Sequence, residues 1–280
     1  MTRDIHSTAT LNDGRQIPRL GLGTWRSKKK DCARAVSFAL ANEYDLIDTA
    51  QIYNNEAQVG MGWKESGRAR DSFFLTTKIW NWNQGYRSAR KSFEKSLKNL
   101  QTDYVDLLLI HWPNVRKFSR TAETWHAMIE MQKEGLARSI GVSNFTPSLL
   151  NELIEQSEVV PAINQVEFHT FLYQKELAEF CRERGIVLEA YSPLARGEHL
   201  DDPTLLQIAQ KYGKSTAQVM LAWLIQHDLV TIPKSVHEKR ILENADIFFG
   251  LDEADLKLLD GLNRDERQLN PPWAAASWKN

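Results

Sequence analysis

A carboxylate, an ammonium and an imidazole each close an apolar, β-like run in this chain. Leu46-Ile47 leads to Asp48, Leu75-Thr76-Thr77 to Lys78, and Leu107-Leu108-Leu109-Ile110 to His111 and Trp112. Later runs end in Ser143-Asn144, reach Gln165, end in Tyr191-Ser192, and lead into Lys234-Ser235. Ser143 and Asn144 need no function at such places, since small polar residues break strands. Asp48, Lys78 and His111 together fit that plain role poorly. Three titratable groups crowded at one mouth perturb one another's proton affinity, the mark of a site built for proton chemistry. Taken alone, His111 reads equally well as a strand-end histidine packed under Trp112.

These groups converge only if the strands run parallel and share one rim. The apolar runs are Leu20-Gly21-Leu22, Leu46-Ile47, Phe73 to Thr77, Val105 to Ile110 and Ser139 to Val142, followed by Ile163 to Val166, Val187 to Ala190 and Val230 to Ile232. Between them, apolar spacing of three and four predicts helices at Cys32 to Asn42, Glu56 to Glu65, Ser88 to Leu100 and Ala122 to Lys133. The same spacing predicts helices at Pro147 to Gln156, Gln174 to Arg184 and Thr216 to Gln226. Strands with continuous apolar runs, separated by helices, imply a parallel sheet covered by helices. Eight such units with no linker or repeat favour a closed α/β (β/α)8 TIM barrel, which delivers every strand's C-terminal residue to one rim. Asn12-Asp13-Gly14, between Leu11 and Gln16-Ile17, predicts an N-terminal β-hairpin. The tail from Leu262 to Asn280 lacks periodicity and reads as a loop over the mouth, carrying Trp273 and Trp278.

The chain has 280 residues, 42% hydrophobic and 25% charged, which fits one barrel domain over 1–280. Net charge is −1, and only Arg26 to Lys30 is locally basic, so a nucleic-acid footprint is excluded. No apolar stretch approaches the ~20 residues of a membrane span, and Met1 to Thr10 lacks a signal peptide's apolar region. A cytoplasmic monomer is the expectation. Cys32 and Cys181 each sit in an apolar-periodic segment and read as buried free thiols. Hydrolase and metal readings fail: Gly141-Val142-Ser143-Asn144-Phe145 lacks the second glycine of a nucleophile elbow, no histidine pair has zinc spacing, and Glu167 with His169 is too little for a metal site.

Three motifs in order then carry a family resemblance. Leu46-Ile47-Asp48-Thr49-Ala50 with Tyr53, Asn55-Glu56 and Gly60, then Ile140 to Phe145, then Ile232-Pro233-Lys234-Ser235 with Arg240, Glu243 and Asn244, resemble the three signatures of the aldo-keto reductases. Within that family the chain looks most like the bacterial 2,5-diketo-gluconate reductases. The resemblance runs from about Thr10 to about Asp260 and implies a catalytic tetrad of Asp48, Tyr53, Lys78 and His111. It implies NADPH-dependent reduction of a small-molecule carbonyl, with 2,5-diketo-gluconate and methylglyoxal among the candidate substrates.

The residues agree with that chemistry. A free tyrosine titrates near ~10 and is a reluctant acid. An adjacent Lys78 is expected to lower that value, with Asp48 holding the lysine charged. His111 is expected to hydrogen-bond the substrate oxygen.

A Gly-x-Gly-x-x-Gly dinucleotide loop is missing, since Gly21-Leu22-Gly23-Thr24-Trp25-Arg26 ends in arginine. The resemblance instead implies a cofactor extended across the mouth. Tyr191 would stack on the nicotinamide, with Ser143, Asn144 and Gln165 on its carboxamide edge and Thr24 and Trp25 beside it. Ser192, Leu194 and Arg196 would cross the pyrophosphate, and Arg196, where many relatives carry a small residue, could instead point to solvent. Lys234, Ser235, Val236, Arg240 and Asn244 would hold a 2′-phosphate, which Arg grips bidentately and Lys by point charge. Trp25, Trp80 and Trp112, with His111, are expected around the substrate, and Trp273 or Trp278 could cap it. Glu43 and Asp45 also depart from the family's pattern. An NADPH-sensing protein with little catalysis is the alternative function.

Overall fold

The computed structural model describes residues 3–271. The chain opens with an antiparallel hairpin of β1 (Thr8–Thr10) and β2 (Gln16–Pro18), registered Ala9 to Ile17. The Asp-Gly turn signal therefore marks a real hairpin. The barrel follows as β3 (Leu22–Gly23), α1 (Lys29–Ala41), β4 (Leu46–Asp48), α2 (Glu56–Glu65), β5 (Phe74–Ile79) and α3 (Tyr86–Leu100). It continues with β6 (Val105–Ile110), α4 (Phe118–Lys133), β7 (Ala137–Ser143), α5 (Pro147–Ser157), β8 (Ile163–Glu167) and α6 (Lys175–Glu183). The last elements are β9 (Val187–Tyr191), α7 (Pro203–Tyr212), α8 (Thr216–Gln226), β10 (Val230–Thr231), α9 (Glu238–Ala245) and α10 (Glu253–Asp260).

Eight strands from β3 to β10 run parallel in sequence order. The two ends of that sheet meet: Gly21 N donates to Thr231 O at 2.9 Å, Thr231 N to Arg19 O at 2.8 Å, and Gly23 N to Pro233 O at 3.1 Å. The sheet is thus a closed (β/α)8 barrel. Gly23 is required at this seam, since a Cβ there would lie 2.7 Å from the Ile232 carbonyl oxygen.

Strand alternation sorts the side chains into two layers. Ile47, Leu75, Leu108, Val142, Val166 and Ala190 point outward into one core with Val36, Phe93, Trp125, Leu150 and Trp223 of the helices. The opposite parity points inward. At the bottom, Leu46, Phe74, Leu107, Ile163 and Val230 pack against Ala9, Leu11 and Ile17, so the hairpin plugs the barrel floor. At the top, the same parity brings up Asp48, Lys78, His111, Ser143, Gln165 and Tyr191.

Besides α9, which carries Arg240 and Asn244, two helices lie outside those that apolar spacing predicts. α7 buries only Leu205, Ile208 and Ala209, and α10 only Asp255 and Leu259, so neither carries a full apolar stripe. Both start on aspartate caps, Asp202 and Asp252, whose side chains accept from Thr204 N and Asp255 N. The part of the tail inside the described residues is a loop, as expected; Trp273 and Trp278 lie outside them.

Candidate active site

The inward parity of the strand tops builds one polar layer over the apolar barrel floor. Lys78, fully buried on β5, donates to Asp48 Oδ1 at 2.6 Å, Asp48 Oδ2 at 2.7 Å and Thr49 O at 2.9 Å. Tyr53 stands in a short 3-10 turn, Gln51–Tyr53, just after β4. Gln51 fixes that turn to the neighbouring rim loop, accepting from Trp80 N at 2.9 Å and Asn83 Nδ2 at 2.8 Å. The Lys78 ammonium lies 5.2 Å from the centre of the Tyr53 ring. His111 stands edge-on between Tyr53 and Trp80, with ring centres 5.6 and 5.1 Å away. The four candidate catalytic groups thus lie together at one end of the barrel.

Their electrostatics differ from the sequence expectation in one respect. Burial, then the negative charges of Asp48 and Glu189, hold the Tyr53 phenol well above its ordinary range. Lys78 is not among the groups that set this direction; burial and the two carboxylates are. All three ammonium protons of Lys78 are taken by Asp48 and Thr49, and its charge is offset by the Asp48 carboxylate. Burial likewise lifts the Asp48 carboxyl, against the pull of Lys78. Burial, helped by the Lys78 charge, drives His111 well below its ordinary value, so the imidazole is neutral. Its Nδ1 is buried without a hydrogen-bond partner among the described residues.

The first motif is partly architecture. Asn55 donates to Thr24 O at 2.8 Å and accepts from Thr49 Oγ1 at 2.9 Å, pinning the first rim loop to the catalytic one. Glu56 accepts from Thr77 Oγ1 at 2.8 Å. Gly60 lets α2 meet α3, because a Cβ would lie 2.5 Å from Asn99 O. Thr24 is also committed, its hydroxyl and amide both donating to Asp48 O at 2.9 and 3.0 Å.

The remaining candidates divide into two groups. On one side, the Tyr191 hydroxyl donates to Asn144 Oδ1 at 2.8 Å, and Asn144 Nδ2 donates to His111 O and Ser143 Oγ, each at 2.9 Å. Gln165 turns its nitrogen inward, to Asp48 Oδ2 at 2.9 Å and Glu189 Oε2 at 2.7 Å. On the other side, Lys234 and Arg240 are exposed, and neither has an ion-pair partner among the described residues. Arg240 and Asn244 lie one turn apart on α9, with buried Ser235 just before it. Two uncommitted cations beside a hydroxyl and an amide fit a phosphate group. Between the two groups, half-buried Ser192 and Leu194 and exposed Arg196 form the loop after β9, and Val236, between Ser235 and α9, is half-buried. Ser192, Ala195 and Arg196 take left-handed φ values of 47°, 45° and 58°. That backbone carries the Arg196 guanidinium to 4.9 Å from the Trp25 ring centre, which joins the first and seventh rim loops.

Of the rim tryptophans, Trp25 and Trp80 are half-buried and Trp112 is buried. Sequence reasoning missed Trp82, 81% exposed with its ring 6.3 Å from that of Trp80. It also missed Glu189, whose signal was an acid inside the apolar strand Val187-Leu188-Glu189-Ala190. Glu167 proves to be a clamp: its two oxygens accept from Gln268 N at 2.8 Å and Leu269 N at 3.0 Å, seating the tail at the end of β8. Cys32 and Cys181 are free and buried, and burial pushes each thiol up to about 12, which makes both inert.

The sequence model of the Aldo/keto reductase family matches residues 19–264. The chain belongs to the aldo/keto reductase family. A glyoxal reductase of Bacillus subtilis is 49% identical over 269 residues, covering 95% of this chain and 96% of the relative. An aldo/keto reductase from Brucella melitensis superposes with a TM-score of 0.89 at 48% identity, over 92% of this chain and 99% of the other. The Bombyx mori aldo-keto reductase AKR2E4 in complex with NADP superposes with a TM-score of 0.89 at 36% identity, over 96% of each chain.

Proposed function

We propose that this aldo/keto reductase family member reduces small aldehydes and ketones to alcohols with NADPH, Tyr53 giving the proton to the substrate oxygen. One observation carries the reading: Tyr53 and a neutral His111 stand side by side, with the buried Lys78–Asp48 pair next to the Tyr53 ring. NADPH, when bound, supplies the hydride. The donor set supports that cofactor. Tyr191 offers a flat face, Ser143, Asn144 and Gln165 offer amide and hydroxyl groups, and Lys234, Ser235, Arg240 and Asn244 suit a 2′-phosphate. The NADP complex of the Bombyx mori relative lends further support.

The residues then divide the work. A neutral imidazole offers one N–H, and His111 uses it to hold the carbonyl oxygen and oppose the negative charge that develops there. Tyr53 need not be acidified to deliver its proton. The group it protonates is an alkoxide, the conjugate base of an alcohol, which is a far weaker acid than any phenol. A raised phenol also keeps its proton into the alkaline range, where an ordinary tyrosine near ~10 begins to lose it. Lys78 and Asp48 fill the space under Tyr53 with a compensated charge pair and fix the ring's height. Trp80, with Trp82 beyond it, extends an aromatic wall outward from His111, which suits small planar carbonyls and keeps water from the reacting carbon. The glyoxal reductase likeness supports small dicarbonyls among the substrates. We place the protein in the cytoplasm as a single-domain monomer. The free thiols suit a reducing compartment, and among the described residues no helix is long and apolar enough to cross a membrane.

The test is NADPH oxidation followed at saturating cofactor across glyoxal, methylglyoxal, 2,5-diketo-gluconate and aromatic aldehydes. Multiple turnovers on at least one are expected. NADPH binding without turnover on any would favour a sensing role instead.

A further inference from the structure

Glu189 is a fully buried carboxylic acid that the chemistry above does not use. It points into the barrel from β9, in register with Gln165 on β8. Gln165 donates from one nitrogen to two acceptors, Glu189 Oε2 at 2.7 Å and Asp48 Oδ2 at 2.9 Å. β4, which carries Asp48, and β8 are four strands apart in a barrel of eight, so this amide spans the barrel from one wall to the other. An amide oxygen in the nitrogen's place would face two carboxyl oxygens. The nitrogen is therefore locked between the two carboxyl groups, and a planar amide so held turns its oxygen away from both. Asp48 alone would fix one of the two N–H bonds; Glu189 takes the other, leaving Gln165 no free rotation.

The geometry points to Glu189 as a positioning residue for the cofactor end of the site, holding Gln165 so that its amide oxygen is left to the cofactor as an acceptor. The inference rests on the reading of that end as an NADPH site, whose carboxamide carries the matching N–H2 group. A carboxyl oxygen serves as acceptor in either protonation state. Burial and the charge of Asp48 push Glu189 up to about 8, so at neutral pH it plays this part largely without adding a second buried charge. Glu189 Oε1 has no hydrogen-bond partner among the described residues, so the side chain is held through Oε2 alone. That single attachment makes Gln165 its one hydrogen-bonded contact among the described residues, beside the electrostatic reach of its carboxylate form to Tyr53.

The experiment titrates NADPH into the protein by quenching of tryptophan fluorescence, alongside steady-state kinetics. Glu189→Leu removes the acceptor, and Glu189→Ala, which leaves room for water, serves where leucine does not fold. Either variant is expected to raise the Kd and KM for NADPH roughly five- to tenfold, the scale of one lost orienting hydrogen bond, with kcat changed much less. Glu189→Gln keeps an acceptor oxygen of the same shape and is expected to restore binding. In a Gln165→Leu background, Glu189→Leu is expected to add no further loss. Wild-type affinity in folded Glu189→Leu or Glu189→Ala, or fully additive losses in the double variant, overturns the role of Glu189 while leaving the cofactor reading intact. A wild-type protein that NADPH does not quench overturns that reading, and this inference with it.

Discussion

Lys78 gives Asp48 two short hydrogen bonds and gives Tyr53 none, although the Tyr53 ring centre is only 5.2 Å from its ammonium. The third ammonium proton goes to Thr49 O. The lysine and the aspartate therefore compensate each other inside the barrel, and the tyrosine senses a nearly neutral pair rather than a bare cation. Breaking such a pair from one side strands a buried charge. Lys78→Met is expected to lower stability by about 3–5 kcal/mol in denaturant unfolding, and to cost more than Asp48→Asn, which leaves the ammonium a neutral acceptor. Equal losses in the two variants would show that the pair's charge is not what holds this layer together.

The directions of the two proton affinities set the pH response. The phenol is raised, so it stays protonated as pH climbs through the ordinary tyrosine range near ~10. The imidazole is lowered, so it stays neutral as pH falls through about 6.5. The kcat/KM for carbonyl reduction is expected to lack both an acid limb from His111 and an alkaline limb from Tyr53 between about pH 6 and 9.5. An acid limb centred near about 6.5, absent from a His111→Asn variant, would show that the imidazole is charged in the working range.

How far the site could be read in advance follows from periodicity. Asp48, Lys78, His111, Gln165 and Tyr191 were visible because each ends or closes an apolar strand, and a period of two puts all of them on the inner wall. The charge balance was not visible. Whether Lys78 acidifies Tyr53 depends on Asp48 and Thr49 at the end of one strand and on Glu189 in another, two segments that meet only once the barrel closes. The same holds for Gln165, whose partners lie on its neighbouring strand and on the far wall. Arg196 could not be placed, because its direction is set by left-handed backbone at Ala195 and Arg196. α7 and α10 escaped notice because each buries too few apolar residues to show a stripe.

Arg240 and Lys234 have no ion-pair partner among the described residues, whereas Lys239 on the same helix meets Glu243 at 3.7 Å. Removing a guanidinium that grips a 2′-phosphate acts on one cofactor only. Arg240→Ala is expected to raise the KM for NADPH by at least ~10-fold while leaving NADH nearly unchanged. Equal effects on both cofactors would move the phosphate away from α9.

The opposite end of the barrel offers a control. Asp106 accepts from Arg70 at 2.6 Å, Arg138 at 3.1 Å and Leu75 N at 3.0 Å, below the apolar floor. Charge pairing there serves stability, because the chemistry sits on the other rim. Asp106→Ala is expected to cost about 2–4 kcal/mol of stability, part of the pairing being open to solvent, with kcat at 25 °C within about twofold of wild type. A large loss of kcat in folded protein would break that separation of the two ends.

Proton delivery by Tyr53 is tested most directly by Tyr53→Phe, which removes the hydroxyl and keeps the ring against His111. With glyoxal or an aromatic aldehyde, turnover is expected to fall by at least ~10²-fold, while NADPH titration gives a Kd close to wild type. Unchanged turnover in that variant would contradict the assignment of Tyr53 as the proton donor.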